Sequence, residues 1–382
     1  MIKTLIAHTA EMDDPESAVA EILGQLELEK CLLKNSVGIM ACYLDFMKNE
    51  VVRAICERLP FDVVGVNTLG SAVSEAGGQL LLTLAVLTSD DVFFSAGVSE
   101  PLSRNYEEPL ADLYNKASSK LPDKPALMLT FAPLTHEPSQ DHFLRCLEAV
   151  SSGKVPIFGL VAADYSTSHE NPLVLFNGET YGKSFAMLLI SGNINPRFTF
   201  SGISEKRVMQ RKGVITSAED NILKEINDVP AMQYMESLGF VKDGKFKGAL
   251  TIPLVVDYNN GTPPFLRAIL NPTPEGYLLL AGAVPENGIL GVGVIDPDYI
   301  LETAAELTRE VRDYDFLLIG SCIARTFVLE WDNLTEMDRI RSRLAAAPFL
   351  FIYSYGEFCP VETGDGRLVN RFHNLTLVSC AF

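Results

Sequence analysis

The sequence predicts a two-domain α/β protein whose mixed parallel and antiparallel sheets are covered by helices and built from a repeated helix-strand-helix-strand-strand module. Three observations lead there. The same order of elements recurs three times. The second strand of each copy is an apolar run closed by a small or polar turn: FDVVGVNTLG, VPIFGLVAAD and PFLFIYSYGE. Between the second and third copies lies a stretch of alternating apolar residues and Asn/Gly turns, which reads as an antiparallel meander.

In the first copy, Asp14 is an N-cap, Pro15 fits the first helical turn, and Ala18, Val19, Ile22, Leu23 and Leu26 form an apolar stripe. A strand follows over Val37–Tyr43, a helix over Val51–Leu59, a strand over Phe61–Asn67 and a long strand opened by Gly77-Gly78 and running through Leu87. The second copy reads as helix Leu110–Leu121, strand Ala126–Ala132, helix His142–Val150, and strands Ile157–Ala162 and Ser184–Ser191. The third reads as helix Asp298–Arg312, strand Phe316–Cys322, helix Thr335–Ala347, and strands Phe349–Tyr353 and Leu375–Cys380. In that last helix Met337, Ile340, Leu344 and Ala347 recur at helical spacing among Glu336, Asp338, Arg339, Arg341 and Arg343. Each copy implies a parallel crossover closed by an antiparallel strand, with neighbouring modules sharing sheets.

Asn193–Gly213, with Pro196, Gly202 and Lys206, Arg207, Arg211 and Lys212, reads as a linker. It places domains at residues 1–212 and 213–382. The meander is expected as helix Pro230–Leu238 and strands Ala249–Val256, Phe265–Leu270, Tyr277–Val284 and Leu290–Ile295. Thr167–Pro172 and Thr363–Asn370 read as exposed loops.

The 382 residues carry a formal charge of −18, which disfavours a phosphate-backbone partner. No run approaches the roughly 20 apolar residues of a membrane helix, and Asp13, Asp14 and Glu16 stand where a signal peptide would be basic and then apolar. A cytoplasmic protein is expected. Seven cysteines without a CxxC pair, and five dispersed histidines, point to reduced thiols and give no metal site. Neither GxGxxG nor GxxxxGK[ST] occurs, so no nucleotide cofactor is expected.

A βαβ crossover brings the ends of its two parallel strands to one sheet edge, which gathers Cys322, Arg325, Tyr355 and Glu357. Arg325 can clamp a carboxylate or pair structurally with Glu330 or Glu357. Glu357 can receive an amine, and Tyr355 can stack or donate a hydrogen bond. Cys322 is either a reactive thiolate near Arg325 or a small buried strand-capping residue. His373 and Asn374, before the last strand, can line the same cleft. Asn67, Thr68 and Asp164 occupy the equivalent turns of the first two copies, where turn hydrogen bonding is the plainer role.

The chain also resembles the FIST sensory proteins, in the order of VVGVNTLG (Val63–Gly70), IFGLVAAD (Ile157–Asp164), VLFNGETYG (Val174–Gly182), the segment Gly213–Gly239, LAGAVPENG (Leu280–Gly288), GSCIAR (Gly320–Arg325), YSYGEF (Tyr353–Phe358) and HNLTLV (His373–Val378). The resemblance implies an N-terminal and a C-terminal FIST domain, and a ligand sensor coupled to a signalling partner, with amino acids among the ligands proposed for such proteins. Two positions depart from the family pattern. Ala324 stands where Cys-x-Gly-Arg would have Gly, and Asn227-Asp228 stands where Asp-Gly is common. The expected function is non-catalytic sensing of a small molecule, an amino acid being the leading ligand because Arg325 and Glu357 together suit a zwitterion. The alternatives are an enzyme with Cys322 as nucleophile and a ligand-free scaffold.

Overall fold

A computed structural model describes residues 1–103, 106–165, 171–246, 251–344 and 347–382. Three six-stranded sheets follow one plan. In the first, Lys3–Thr9, Leu82–Ser89, Asn35–Cys42 and Val63–Asn67 lie side by side. In the second the corresponding strands are Phe93–Val98, Ala186–Ser191, Leu127–Ala132 and Ile157–Val161, and in the third Arg197–Phe200, Leu377–Ala381, Leu317–Cys322 and Phe349–Ser354. In every case the last two run parallel and the other neighbours antiparallel. The parallel pairs are the crossovers expected from the apolar runs, and the repeated module is present three times.

Each sheet is completed by a hairpin from another module. Val174–Phe176 and Glu179–Tyr181, from the second module, extend the first sheet. Glu357–Glu362 and Leu368–His373, from the third, extend the second. Ser71–Ala72 and Gly77–Gly78, from the first, extend the third. The exchange is cyclic, and in the first and third modules the lent hairpin follows within a few residues of the end of the second parallel strand, whereas in the second it begins at Val174 after a strand that ends at Val161.

Strand period 2 divides the side chains between a shared interior and three helical covers. Val64, Val66, Leu129, Phe158, Leu160, Leu318 and Ile352 point into one core common to the three sheets. Their alternates lie under helices: Val63 with Ile22 and Ile55, Met128 and Ile157 with Phe143 and Leu147, Leu317 and Ile319 with Ala304 and Ile340. Gly65 is required by the closeness of its parallel neighbour, since a Cβ there would sit 1.8 Å from the Met40 carbonyl oxygen. Asp14 caps its helix as the sequence predicts, its Oδ1 accepting from the Ser17 amide at 3.1 Å.

Several segments differ from the sequence reading. Gly77-Gly78 does not open the long strand, which begins at Leu82. Glycine marks the small hairpin in the third sheet instead. The supposed linker contains the strand Arg197–Phe200, paired antiparallel with Leu377–Ala381. Strands from before and after residue 212 therefore share the second and third sheets. Leu368–His373 is a strand where an exposed loop was expected. Of the predicted loop Thr167–Pro172, residues 167–170 lie outside the described residues, as do 249–250 of the predicted strand Ala249–Val256, observed as Pro253–Asp257, and 345–346 of the predicted helix Thr335–Ala347, observed as Asn333–Leu344.

The meander is richer than expected. Gly213–Glu219, Ile289–Val292, Pro253–Asp257, Phe265–Pro272, Leu278–Leu280 and Ile222–Ile226 pair in that order, and Gly213–Glu219 also pairs with Ile222–Ile226. The sheet thus closes on itself as an antiparallel barrel around Ile215, Leu223, Leu254, Ile269 and Leu290. It is inserted between the first strand and first helix of the third module. Asn227 and Asp228, at φ 52° and 59°, make the tight turn to Val229–Pro230. These two residue types tolerate the left-handed region, which explains how the turn forms without Gly.

Candidate functional site

The three strand-end turns singled out in the sequence meet near the centre of the molecule. Thr68 Oγ1 donates to the Tyr353 carbonyl at 2.7 Å, the Ala163 amide donates to the Asn67 carbonyl at 3.1 Å, and Tyr355 Oη lies 2.9 Å from the Asp164 carbonyl. Asn67 also receives the Leu173 amide at 2.8 Å and donates to the Asn171 carbonyl at 2.7 Å. Asp164 Oδ2 accepts from the Asn171 amide. These side chains lock one module to the next. For Asn67, Thr68 and Asp164 turn and junction bonding is what the geometry displays.

Arg325 lies at the start of the helix Ala324–Val328, just beyond Leu317–Cys322, and is fully buried. Its Nε and Nη2 donate to Glu336 Oε1 at 3.0 and 2.6 Å, and Nη2 also reaches the Ile300 carbonyl and Thr303 Oγ1. Glu336 Oε2 accepts from Ser321 Oγ at 2.8 Å and Tyr353 Oη at 3.1 Å. Burial pulls the guanidinium down, but the Glu336 carboxylate beside it, with Tyr299 and Tyr353, holds it above its ordinary value. The partner of Arg325 is therefore neither Glu330 nor Glu357. Glu336, assigned by sequence to the polar side of its helix, is wholly buried. Its place one turn before Ile340 and two before Leu344, at i+4 and i+8, was the available signal.

Glu357 is also completely buried and accepts from Ser354 Oγ at 2.7 Å and Thr376 Oγ1 at 3.1 Å. Burial pushes its carboxyl up to about 8, against the pull of those hydroxyls and of Arg325. His373 lies between the rings of Phe200 and Phe265, its Nε2 3.0 Å from the Cys359 carbonyl, and burial lowers it to about 3. It is held as neutral imidazole. The zwitterion clamp expected from Arg325 and Glu357 is not assembled, because Arg325 is engaged by Glu336 and Glu357 by two hydroxyls.

Cys322, Tyr355 and Asn374 do line one cavity of about 90 Å³. Leu134, Thr135, His136 and Gln140 reach it from the second module, Ala268, Leu270 and Ala281 from the barrel, and Ile323, Ala324, Phe327 and Phe372 from the third module. Both sides of residue 212 contribute. No Asp, Glu, Lys or Arg is among these residues. Sequence reasoning missed Gln140, which opens the helix Gln140–Val150, and the barrel residues, whose closure no local pattern announces. Ala324, standing in for Gly, has no positive φ and simply begins a short helix, so the backbone beside Cys322 does not need glycine. Burial raises the Cys322 thiol, and Glu357 raises it further, outweighing the Ala324 and Leu375 amides and Arg325. Tyr355 is likewise raised by burial and by Asp164.

Among the described residues no cluster of His, Cys, Asp and Glu is arranged to hold a metal, and no helix is long and apolar enough to cross a membrane.

An α/β protein of three interlocked modules and an inserted barrel, with a cavity at their junction whose wall carries no Asp, Glu, Lys or Arg, is the class these features define. The FIST N domain model matches residues 36–229 and the FIST C domain model residues 230–360. The chain belongs to the FIST family, whose domains are associated with sensory functions in signal transduction. No curated protein matches the sequence. Among solved structures, cyanuric acid hydrolase from A. caulinodans aligns over 100% of this chain and 99% of its own, at 7% identity and a TM-score of 0.34.

Proposed function

We propose that the protein is a cytoplasmic, non-catalytic sensor that takes a small ligand into the cavity at Cys322, Tyr355 and Asn374 and relays its presence to a signalling protein. The observation that carries this reading is the composition of the cavity wall. The second module, the barrel and the third module each supply part of it. A ligand there touches all three and favours the arrangement in which they close around it, which is the physical requirement for a shift in population. Seven unpaired thiols suit a reducing compartment. The raised Cys322 thiol and the engagement of Arg325 by Glu336 weigh against thiolate catalysis.

A thermal-shift screen of metabolites tests the proposal. A ligand at about 100 times its Kd adds roughly 2.7 kcal/mol to the native state. Ala281→Leu, which fills the cavity from the barrel side, is expected to abolish that shift while leaving a cooperative melting transition. A shift that survives the filled cavity would place binding elsewhere. Timed alkylation addresses the thiol-enzyme alternative: half-buried Cys31 is expected to label first and Cys322 only on unfolding. Rapid stoichiometric labelling of Cys322 in the native protein would favour the enzyme.

A further inference from the structure

We infer that the cavity receives its ligand through a compact hydrocarbon group of about three or four carbon atoms, so that it binds short aliphatic molecules in preference to amino acids and other ions. This rests on the sensor reading above and specifies its chemistry.

Leu134, Leu270, Ala281, Ile323, Phe327 and Phe372 bring apolar side chains from all three parts of the wall, and the surface open to the cavity is mostly carbon. The polar side chains of the wall are committed within the protein. Tyr355 Oη donates to the Asp164 carbonyl at 2.9 Å, Thr135 Oγ1 to the Pro138 carbonyl at 3.0 Å, Gln140 Nε2 to the Pro133 carbonyl at 2.8 Å and Asn374 Nδ2 to the His373 carbonyl at 3.0 Å. The other ends of the two carboxamides, Gln140 Oε1 and Asn374 Oδ1, are closed even to a water molecule and offer a ligand nothing. Cys322 adds a thiol that burial keeps protonated, and a neutral thiol packs as a small hydrophobe.

His136 is the wall residue able to carry positive charge. It is half-buried, and its carbonyl accepts from Asn221 Nδ2 at 3.2 Å. Neutral His136 gives a carboxylate no counter-ion, protonated His136 repels an ammonium, and neither form serves both ends of a zwitterion. Any ion would also lose its water against the carbon surface of the remaining wall, at a cost a hydrocarbon group does not bear. Size sets the second limit. An apolar cavity of about 150 Å³ stays dry and admits benzene, so the roughly 90 Å³ here suits a group of about three or four carbons.

Xenon and the linear alcohols from ethanol to hexanol, against propionate, propylammonium and alanine, test this on the full chain by ligand-observed NMR. Emission of Trp331 provides a second readout, since it is the sole tryptophan and its ring packs 4.3 Å from that of Phe327 on the cavity wall. Affinity is expected to rise about fourfold with each methylene from ethanol to butanol and no further at hexanol, and propanol to bind about tenfold more tightly than any of the ions. Leu270→Ala enlarges the cavity and should extend the rise to hexanol, while Ala281→Leu fills it and should abolish the xenon and alcohol signals. An alcohol series with no length limit, or one indifferent to Leu270→Ala, would overturn the hydrocarbon selection. So would propionate or alanine binding as tightly as propanol and lost in Ala281→Leu, which would leave the sensor site standing; loss of the propionate signal in His136→Phe would then assign the selection to the imidazole. If neither these probes nor any member of the metabolite screen bound in a manner sensitive to Ala281→Leu, the site itself would fall.

Discussion

Arg325→Ala and Glu336→Ala are each expected to destabilise the protein by about 3–5 kcal/mol, because each strands the opposite charge in a fully buried site. The pair is not isolated. Glu336 also receives the hydroxyls of Ser321 and Tyr353, and Arg325 also donates to Ile300 and Thr303, so the network fastens three helices, Pro297–Glu310, Ala324–Val328 and Asn333–Leu344, to the ends of two parallel strands. Removing Glu336 leaves a guanidinium with only neutral acceptors, while removing Arg325 leaves a carboxylate with only hydroxyl donors. The double variant Arg325→Ala/Glu336→Ala should be less destabilised than the sum of the singles, since neither charge then remains. Urea unfolding of the four proteins in a double-mutant cycle measures this. Single losses below about 1 kcal/mol, or strict additivity, would show that the pair does not hold the strand ends. It follows that a binding signal lost in Arg325→Ala would say little about a ligand.

The second large effect is in the dependence of stability on pH. Glu357 has a folded-state value raised from 4.5 to about 8, so the folded protein keeps a proton that the unfolded chain releases; its stabilising contribution is full below 4.5 and is lost as pH rises through 8. His373 behaves oppositely. Its value is depressed from 6.5 to about 3, so its contribution is present above 6.5 and is lost as pH falls through 3. Between 4.5 and 6.5 the two slopes oppose and nearly cancel. A plateau is expected there, with stability falling on either side, each limb spanning roughly 1.5 units and so amounting to about 2 kcal/mol at roughly 1.4 kcal/mol per unit. Glu357→Gln keeps the shape of the side chain and should abolish most of the alkaline loss while leaving the acid limb. Denaturant unfolding from about pH 2.5 to 9 reads both limbs. An alkaline limb unchanged in Glu357→Gln would show that this carboxyl is not the group responsible.

The parallel crossovers were legible because strands buried on both faces carry apolar runs that need no partner to be recognised, as Phe349–Ser354 does. The first strand of each module was not. Lys3–Thr9 and Arg197–Phe200 are edge strands with mixed exposure, and their residues alternate too weakly to separate them from a loop. The exchanged hairpins were hidden differently. Asn177-Gly178 is a readable turn, yet nothing local in Val174–Tyr181 reveals that its partner is Val64–Val66. The same limit shaped the site. Strand-end positions bring Cys322, Tyr355 and Asn374 to one cavity wall, whereas the engagement of Arg325 by Glu336 and the approach of Gln140 depend on packing between distant segments.

The cyclic lending of hairpins fixes when this chain can fold. During synthesis the first sheet lacks its outer hairpin until residue 181 is available, the second until residue 373, and the third until its inner strand Leu377–Ala381 has been made. The N-terminal half must therefore wait beside the ribosome with unfinished sheet edges, exposed to wrong pairing for as long as the remainder takes to emerge. A chain with so many distant pairings folds late and as a whole.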